Sequence, residues 1–358
     1  MASLRQGSVF KGRGADCNPP GRFDKLTRTR EDDGWYSEDA PDDAAVTEVI
    51  EQPARQALTR NDSPDIPFDR SVNPYQGCEH GCIYCYARPS HAYRELSPGL
   101  EFETRIHART GIAARLRAEL ARPGYRPAPL CLGANTDAWQ PAERRLGLSR
   151  AVLQLLAECR HPVTLVTKAA LIERDLDLLV ELARDGLVHA AVSVTTLDAE
   201  LARRLEPRAA SPRRRLAVIE RLRAAGVPVA VMVAPVIPQL TDADLEAILA
   251  AAADAGAQSA GYVLLRLPHE VKGLFERWLT THYPLRAQHV LSLMRQMHGG
   301  RDYDAQFFNR QTGTGVYAQL IARRFALAAA RHGLDRPLPA LRCDLFRPPA
   351  PAGQLTLF

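Results

Sequence analysis

Short apolar runs alternate with amphipathic segments through the middle of the chain. The apolar runs are Pro129–Gly133, Val163–Thr167, Val188–Thr195, Val227–Val236 and Gly261–Leu267. The segments between them repeat apolar residues at helical spacing and cover Leu148–Cys159, Asp175–Asp185, Ala199–Leu205, Pro212–Ala225 and Asp242–Ala255. Apolar runs separated by helices of this length are typical of a parallel sheet that is built through right-handed crossovers.

The chain before residue 129 adds a strand and a helix to this pattern. Phe68–Gln76 is predicted to be extended, and Glu101–Ala108 shows a weak strand-like alternation. Apolar residues recur every four positions over Ile112–Leu120, which predicts a helix ended by Pro123-Gly124. With Phe68–Gln76 counted, six βα units result. The predicted fold class is therefore α/β, a partial (β/α)6 TIM-like barrel. No G-x-G-x-x-G follows a strand, so a dinucleotide-binding fold is the weaker alternative.

The regions that flank the predicted barrel, residues 66–270, have other patterns. Residues 1–65 show no sustained periodicity and are predicted to be an extended N-terminal arm, partly disordered. Residues 271–336 predict a helical C-terminal extension with an irregular stretch at Gly299–Thr314. Residues 337–358 form a proline-rich tail.

Composition narrows the class of protein. The chain has 358 residues, 46% of them hydrophobic and 24% charged, as in ordinary soluble proteins. No apolar run is long enough for a membrane span, and the first thirty or so residues are too polar for a signal peptide. The net charge of +5 permits a polyanionic partner without requiring one. Seven cysteines, three of them clustered, indicate a reducing compartment, so a cytoplasmic location is expected.

The clustered cysteines are the main candidate for chemistry. Cys78, Cys82 and Cys85 are spaced C-x3-C-x2-C, with Gly77 and Gly81 beside them. Thiolates are the usual ligands of iron–sulfur clusters, and a [4Fe–4S] cubane normally takes four of them. Three thiolates would leave one iron open to another ligand, and the glycines suit a loop that folds tightly around a bulky group. The spacing therefore favours a [4Fe–4S] cluster with one open iron.

A zinc site is the alternative interpretation of the same loop. Structural zinc sites also use closely spaced cysteines, and His80 or His91 offers a fourth ligand for a Cys3His site. In that case the chain would be a non-enzymatic zinc protein. A simple electron-transfer protein is a related possibility.

Polar residues that follow the predicted strands are further candidates, because barrel enzymes build their sites at the carboxyl ends of strands. The run at residues 129–133 continues into the polar string Asn135–Glu143, where cofactor contacts are expected. A simple helix cap by Thr136 or Asp137 is the alternative there. Lys168 closes the third strand, where its charge points either to a cofactor carboxylate or to solvent.

The later strands carry four more polar candidates. Ser193 and Thr195 place hydroxyl groups on one face of the fourth strand, which suits a ribose or water. Arg266 ends the sixth strand, and a guanidinium there needs an anion or an ion-pair partner. Arg214 is expected to lie in solvent at a helix start, although it could reach inward.

Several strings of the sequence resemble radical S-adenosylmethionine (SAM) enzymes and, within that family, the spore photoproduct lyase branch. These strings are Gly12–Ala15, Asn73–Cys78, Cys82–Arg88, Asn135–Pro141 and Glu206-Pro207. The resemblance implies that Cys78, Cys82 and Cys85 bind a [4Fe–4S] cluster whose open iron is chelated by the amine and carboxylate of SAM. One electron, from a flavodoxin- or ferredoxin-like reductant, would then split the sulfonium and give a 5′-deoxyadenosyl radical.

The resemblance also assigns a cofactor pocket. It implies that Thr136, Lys168 and Ser193 lie in this pocket, with the backbone near Tyr84 against the adenine. The chain departs from photoproduct lyase at one point, since the hydrogen-donating cysteine of that enzyme falls here at Ala134. Cys131 lies three residues earlier and is predicted to be a core residue. Reversal of a thymine dimer is therefore not implied.

Three classes of function follow from the sequence. The first is a radical enzyme that acts on a nucleic acid, such as a DNA lesion, and the second is a radical enzyme that acts on a protein or small molecule. The third is the non-enzymatic zinc or electron-transfer protein. Gln354–Phe358 also resembles the Q-L-x-L-F peptide by which bacterial replication and repair proteins dock on the DNA sliding clamp. A tail that folds back to bury Leu357 and Phe358 is the alternative for these residues.

Overall fold

The computed structural model describes residues 11–24 and 46–350. The strands are β1 (Glu48–Pro53), β2 (Leu58–Arg60), β3 (Arg70–Val72), β4 (Tyr75–Gln76), β5 (Arg105–Thr110), β6 (Leu130–Leu132), β7 (Val163–Thr167), β8 (Val188–Ser193), β9 (Val229–Val236) and β10 (Ser259–Leu264). The helices are α1 (Glu101–Thr104), α2 (Ile112–Leu120), α3 (Glu143–Leu146), α4 (Leu148–Glu158), α5 (Leu176–Arg184), α6 (Ala199–Leu205), α7 (Pro212–Ala224), α8 (Leu245–Asp254), α9 (Val271–His282), α10 (Pro284–Met297), α11 (Asn309–Thr312) and α12 (Gly315–Arg331). Three 3-10 segments cover Arg88–Arg94, Ala170–Asp175 and Asp242–Asp244.

The main sheet has seven strands in the order β10-β9-β8-β7-β6-β3-β2. All neighbouring pairs from β3 to β10 are parallel, and β2 is antiparallel to β3 at the edge. Six parallel strands with helical crossovers confirm the predicted α/β partial barrel. Cys131 is 1% exposed within β6, which confirms its prediction as a core residue. The carboxyl ends of β3 and β6–β10 form one face of the barrel, called the mouth below.

The strand predicted at Phe68–Gln76 is divided between two sheets. Its first part, β3, pairs with β6, whereas its last residues form β4 and pair antiparallel with β5. The break falls at Asn73-Pro74, because proline has no N–H for a ladder and fixes its own φ. This break turns the chain away from the main sheet just before the cysteine loop.

The segment predicted as a weak strand at Glu101–Ala108 begins with the helical turn α1 and becomes β5 only at Arg105. The turn forms because the N–H groups of Glu103 and Thr104 both donate to the Leu100 carbonyl. β5 lies in a second sheet with the order β1-β5-β4.

The described part of the N-terminal arm packs on the barrel. The sequence predicted no regular structure before residue 66, but β1 pairs with β5 and β2 pairs with β3. Edge pairing depends on backbone hydrogen bonds, so it needs no hydrophobic periodicity. Residues 11–24, called the N-terminal strap below, run over the cysteine loop. Residues 1–10 and 25–45 lie outside the described part.

The C-terminal extension is helical as predicted, and α12 packs against α8 and α10. The tail that follows is attached to the barrel up to Ala350. The Arg342 N–H donates to the Gly186 carbonyl, and the Arg347 N–H donates to the Cys159 carbonyl. The Phe346 ring lies 5.3 Å from His161, centroid to centroid. Among the described residues, none of the helices has both the length and the apolar character needed to span a membrane.

Candidate active site

The cysteine loop begins directly after β4 and lies at the mouth. Cys78 and Cys82 are buried, and Cys85 is half-buried. The Cys78 N–H donates to the Phe102 carbonyl (3.0 Å), and the Cys85 N–H donates to the Cys82 carbonyl (3.2 Å). Gly81 has φ +67°, a conformation that glycine adopts without a steric penalty. The loop is thus a tight turn that holds three thiols together.

Electrostatic coupling shows that the three thiols are neighbours. Burial raises the pKa of Cys78 well above its ordinary value, and Asp137, Cys82 and Cys85 add to this increase. Burial also raises the pKa of Cys82, and Glu206 adds to the increase while Lys168 opposes it. Thiols of this kind become thiolates readily only when a cation neutralises them, as metal binding does.

A fully buried ion pair stabilises the cysteine loop. The Arg88 guanidinium donates to Glu103 Oε1 (2.5 Å), and both side chains are 0% exposed. The same guanidinium donates to the carbonyls of Cys82 (2.9 Å) and Gly81 (3.3 Å). A buried guanidinium with its donors satisfied in this way fixes the direction of loop carbonyls.

The N-terminal strap closes over the other side of the loop. The N–H groups of Gly14 and Ala15 donate to the Glu103 carboxylate (2.9 and 2.8 Å). A Cβ added to Gly14 would lie 1.9 Å from the Gly81 carbonyl oxygen, so only glycine fits at this contact. The string Gly12–Ala15, which contributes to the family resemblance, is therefore part of the support of the cysteine loop.

Polar residues of the loop after β6 also support the cysteine loop. The Gln140 amide accepts from the Glu79 N–H (3.0 Å) and donates to the Gly77 carbonyl (3.1 Å). Asp137 accepts from the Thr167 hydroxyl (2.8 Å) and from the Lys168 N–H (2.7 Å). The sequence analysis expected cofactor contacts in this string, but these two side chains bond to neighbouring strand ends and to the loop.

The two histidines considered as zinc ligands have other neighbours. His80 Nδ1 lies 3.4 Å from Asp137 Oδ2, and burial lowers the pKa of His80. His91 Nε2 lies 3.1 Å from the Arg105 carbonyl oxygen. Across residues 11–24 and 46–350, no three His, Cys, Asp or Glu side chains are grouped so as to hold one metal ion.

A buried network occupies the barrel interior behind the loop. The Tyr84 hydroxyl donates to Glu206, and Glu206 also accepts from the Thr195 hydroxyl (2.6 Å). Arg215 pairs with Glu206 and donates to the Ser193 carbonyl (3.1 Å). Burial alone would raise the pKa of Glu206, but Arg215 and Lys168 outweigh it and lower the pKa to about 2. Glu206 is therefore ionised, and the Tyr84–Glu206–Arg215 network is fixed by charge.

Lys168 points into the barrel rather than to bulk solvent. Its Nζ lies 3.5 Å from the Ala234 carbonyl oxygen and 5.9 Å from the centroid of the Tyr84 ring. Its effect on the Cys82 thiol places its charge within electrostatic range of the cysteine loop. Lys168, Tyr84 and Cys82 are thus brought together at the mouth.

Thr136 and Ser193 occupy buried positions beside this group. The Thr136 hydroxyl is 3% exposed and donates to the Tyr75 carbonyl (2.7 Å). Ser193 ends β8 and is also 3% exposed. Both lie at strand ends as predicted, although the Thr136 hydroxyl already has a protein partner.

The solvent position expected for Arg214 is confirmed, whereas the buried role of its neighbour Arg215 was not predicted. Arg214 pairs with Glu173 on the outside of the barrel (2.6 Å), whereas Arg215 is buried. A signal for this was present in α7, since Arg215 shares the buried face with Val218, Ile219 and Leu222 at helical spacing. The role of Glu103 had no such signal, because its partners lie 88 and 89 residues away in the chain.

The fold and the site define a class of protein: a partial α/β barrel with a three-cysteine loop supported at its mouth. The model of the Radical SAM superfamily matches residues 72–252, about half of the chain and most of this barrel. The chain belongs to the radical SAM superfamily. It is a radical SAM enzyme, and its cofactors are the [4Fe–4S] cluster and SAM that this superfamily uses.

Several proteins and solved structures are similar to this chain. An uncharacterized protein of Mycobacterium tuberculosis is 41% identical over 233 residues, which are 64% of this chain and 68% of that protein. An uncharacterized protein of Methanocaldococcus jannaschii is 22% identical over 200 residues, 55% of this chain and 71% of that protein. Among solved structures, spore photoproduct lyase in complex with a dinucleoside spore photoproduct has a TM-score of 0.59 at 15% identity, with 81% of each chain covered. At 15% identity, this similarity shows a shared fold and nothing more specific.

Proposed function

We propose that Cys78, Cys82 and Cys85 hold the [4Fe–4S] cluster, and that the enzyme acts on a nucleic-acid strand that carries a lesion. The observation that carries the cluster assignment is one tight loop with three electrostatically coupled thiols at the mouth of the barrel. When bound, the cluster and SAM supply a 5′-deoxyadenosyl radical after one-electron reduction. The zinc alternative is disfavoured because the barrel belongs to the radical SAM superfamily, which uses a [4Fe–4S] cluster.

The chain's own residues prepare a site for SAM beside the loop. Lys168 offers an ammonium group to the SAM carboxylate, since among the described residues its Nζ has one acceptor, the Ala234 carbonyl, at the long distance of 3.5 Å. Ser193 and Thr136 form part of the buried wall, and the backbone near Tyr84 faces the adenine. The charged Glu206–Arg215 pair holds the Tyr84 hydroxyl and thereby the middle of the cysteine loop. Buried apolar strands around these residues exclude water from the radical.

A nucleic-acid substrate is supported by fold and charge together. Spore photoproduct lyase, whose fold this chain shares, has been solved with a dinucleoside photoproduct bound. The net charge of +5 is compatible with a polyanionic substrate. The thiol that photoproduct lyase uses has no counterpart at Ala134, so the proposal does not extend to thymine-dimer reversal. A flavodoxin- or ferredoxin-like protein in the cytoplasm would supply the electron.

Anaerobic reconstitution tests the ligand assignment. The wild-type protein is expected to bind iron and sulfide and to form 5′-deoxyadenosine from SAM and a strong reductant. Cys82→Ala should lose cluster absorbance and reduce 5′-deoxyadenosine to background, because two thiolates hold a cubane poorly. Cys343→Ala is the matched control, since Cys343 lies in the tail, away from the mouth, and it should behave as wild type.

Two results would contradict this assignment. One is a Cys82→Ala protein with full cluster content and undiminished 5′-deoxyadenosine. The other is a colourless wild-type protein that carries one zinc ion per chain after anaerobic purification. Circular dichroism of each variant establishes that loss of the cluster is not loss of the fold.

A further inference from the structure

Arg266 differs from the buried arginines of the barrel. It follows β10 at the mouth and is half-buried, and its Nε is buried without a hydrogen-bond partner. No carboxylate within the described ranges pairs with it, whereas Arg88 and Arg215 each have a buried carboxylate partner. Because a buried N–H group without an acceptor is costly, this arrangement indicates an anion that the chain itself does not provide.

Tyr86 connects Arg266 to the cysteine loop. The Arg266 guanidinium carbon lies 5.0 Å from the centroid of the Tyr86 ring, and Tyr86 follows Cys85 directly. The Tyr86 hydroxyl donates to the Ala134 carbonyl, so the ring crosses from the cysteine loop to the end of β6. Tyr86 is nevertheless 46% exposed. The guanidinium and an open aromatic surface thus lie together beside the proposed cluster.

We propose that Tyr86 and Arg266 form a subsite that binds one phosphate of the substrate strand and stacks an adjacent base. A guanidinium matches a phosphate through two parallel hydrogen bonds. An exposed aromatic ring beside an arginine is the combination that single-stranded nucleic acids use for stacking. This inference rests on the proposed nucleic-acid substrate, and it names the residues that would hold the strand near the radical.

Binding of a labelled single-stranded DNA oligonucleotide to the anaerobically reconstituted full-length enzyme tests the subsite. Fluorescence anisotropy over a range of salt concentrations gives both the affinity and its salt dependence. Arg266→Gln should weaken binding roughly tenfold to a hundredfold, the loss of one charge-assisted contact. The slope of log K against log salt should fall by about 1, as for one lost phosphate contact. Arg266→Lys should keep most of the slope while losing part of the affinity.

The matched control is Arg331→Gln, which removes the same charge from an exposed side chain in the last turn of α12. This variant should bind the oligonucleotide as wild type does. If Arg266→Gln binds as tightly as Arg331→Gln, the subsite is wrong although the enzyme still acts on nucleic acid. If Arg266→Gln loses affinity for SAM but not for the oligonucleotide, the anion is the cofactor carboxylate and the subsite is again wrong.

The wild-type protein separates this inference from the proposed function. A wild type that forms 5′-deoxyadenosine but binds no oligonucleotide overturns both the subsite and the nucleic-acid substrate, and leaves a protein or small molecule as the substrate. A wild type that binds the oligonucleotide through Arg266 but forms no 5′-deoxyadenosine supports the subsite and overturns the cluster assignment.

Discussion

Arg215 and Arg266 both lie near the mouth of the barrel, but Arg215 has a carboxylate partner and Arg266 has none among the described residues. Arg215 is buried against Glu206 and also donates to the carbonyls of Ser193 and Ala210. Among the described residues, Arg266 has the face of the Tyr86 ring beside it and no carboxylate partner. A guanidinium whose donors are all satisfied by the chain holds the structure in place, whereas one that lacks an acceptor is prepared for a ligand. Arg215 therefore belongs to the structural support of the site, and Arg266 belongs to its binding surface.

The same difference separates two regions of the barrel. Around the cysteine loop, side chains such as Glu103 and Gln140 bond to backbone groups of the loop and fix its shape. Beside the end of β10, Arg266 leaves its buried Nε without a hydrogen-bond partner. The first region is the one that we propose holds the cofactors common to the superfamily. The second is where a substrate particular to this protein would be recognised.

Removing the charge of Arg215 should greatly lower the free energy of unfolding. Arg215→Met leaves the Glu206 carboxylate buried without its partner, so unfolding should become easier by about 3–5 kcal/mol. Arg214→Met is the control, because its pair with Glu173 is half-exposed and contributes at most about 1 kcal/mol. Chemical denaturation of the two cluster-free proteins measures this difference. Equal losses would mean that Arg215 has no special structural role.

The pH dependence of stability gives the same pair a second test. The pKa of Glu206 falls from its ordinary value of 4.5 to about 2 in the folded protein. Its contribution to stability is therefore complete above pH 4.5 and is lost as the pH falls from 4.5 toward 2. Glu206→Gln should lose stability at neutral pH and depend less on pH within this window. An unchanged acid profile would contradict the ionised state of Glu206.

A smaller effect is expected for Lys168, which lies between the two regions and is assigned to the cofactor. Lys168→Ala should weaken SAM binding by about 1–3 kcal/mol if the ammonium group bonds to the carboxylate. Titration calorimetry with the reconstituted enzyme measures this affinity, and iron content shows that the cluster is intact. Lys272→Ala is the control, because Lys272 pairs with Asp302 on the surface. Equal SAM affinity for both variants would leave Lys168 a residue of the barrel wall.

The sequence predicted strands and helices well where local hydrophobic periodicity determines the structure. The apolar run Val163–Thr167 coincides with β7, and Ala199–Leu205 coincides with α6. It predicted less where one residue determines the direction of the chain, as at Pro74, which divides β3 from β4. The loop support by Glu103 and Gln140 depends on contacts between residues more than 60 positions apart, and no local pattern encodes such contacts.

The unsatisfied state of Arg266 was likewise beyond the sequence. Its position at the end of a strand indicated a need for an anion or a salt bridge. Only the three-dimensional structure shows which carboxylates are within reach, and in the described part of the chain none pairs with Arg266. Arg215 could have been recognised from the buried face of α7, since the helical spacing places it with Val218 and Leu222.

The tail is expected to affect neither the cysteine loop nor the surface beside the end of β10. Phe346 packs on Tyr125 and His161, which precede β6 and β7, so the tail is attached at the face opposite the mouth. The peptide Gln354–Phe358 lies outside the described residues. We propose that it docks on the bacterial DNA sliding clamp, with Leu355, Leu357 and Phe358 as apolar anchors. Attachment on the far face would leave the mouth open to a strand while the clamp is bound.

Deletion of residues 354–358 should therefore leave 5′-deoxyadenosine formation and oligonucleotide affinity unchanged. Fluorescence polarisation of a labelled peptide that spans Ala350–Phe358 should show binding to the clamp at micromolar concentrations, on the order of the affinities of short peptide contacts. The same peptide with Leu357 and Phe358 replaced by alanine is the matched control and should not bind. No binding of the wild-type peptide at tens of micromolar (~10–100 μM, weaker than about −5.5 kcal/mol) would exclude docking. Undiminished clamp binding by the truncated protein would place the contact elsewhere on the chain.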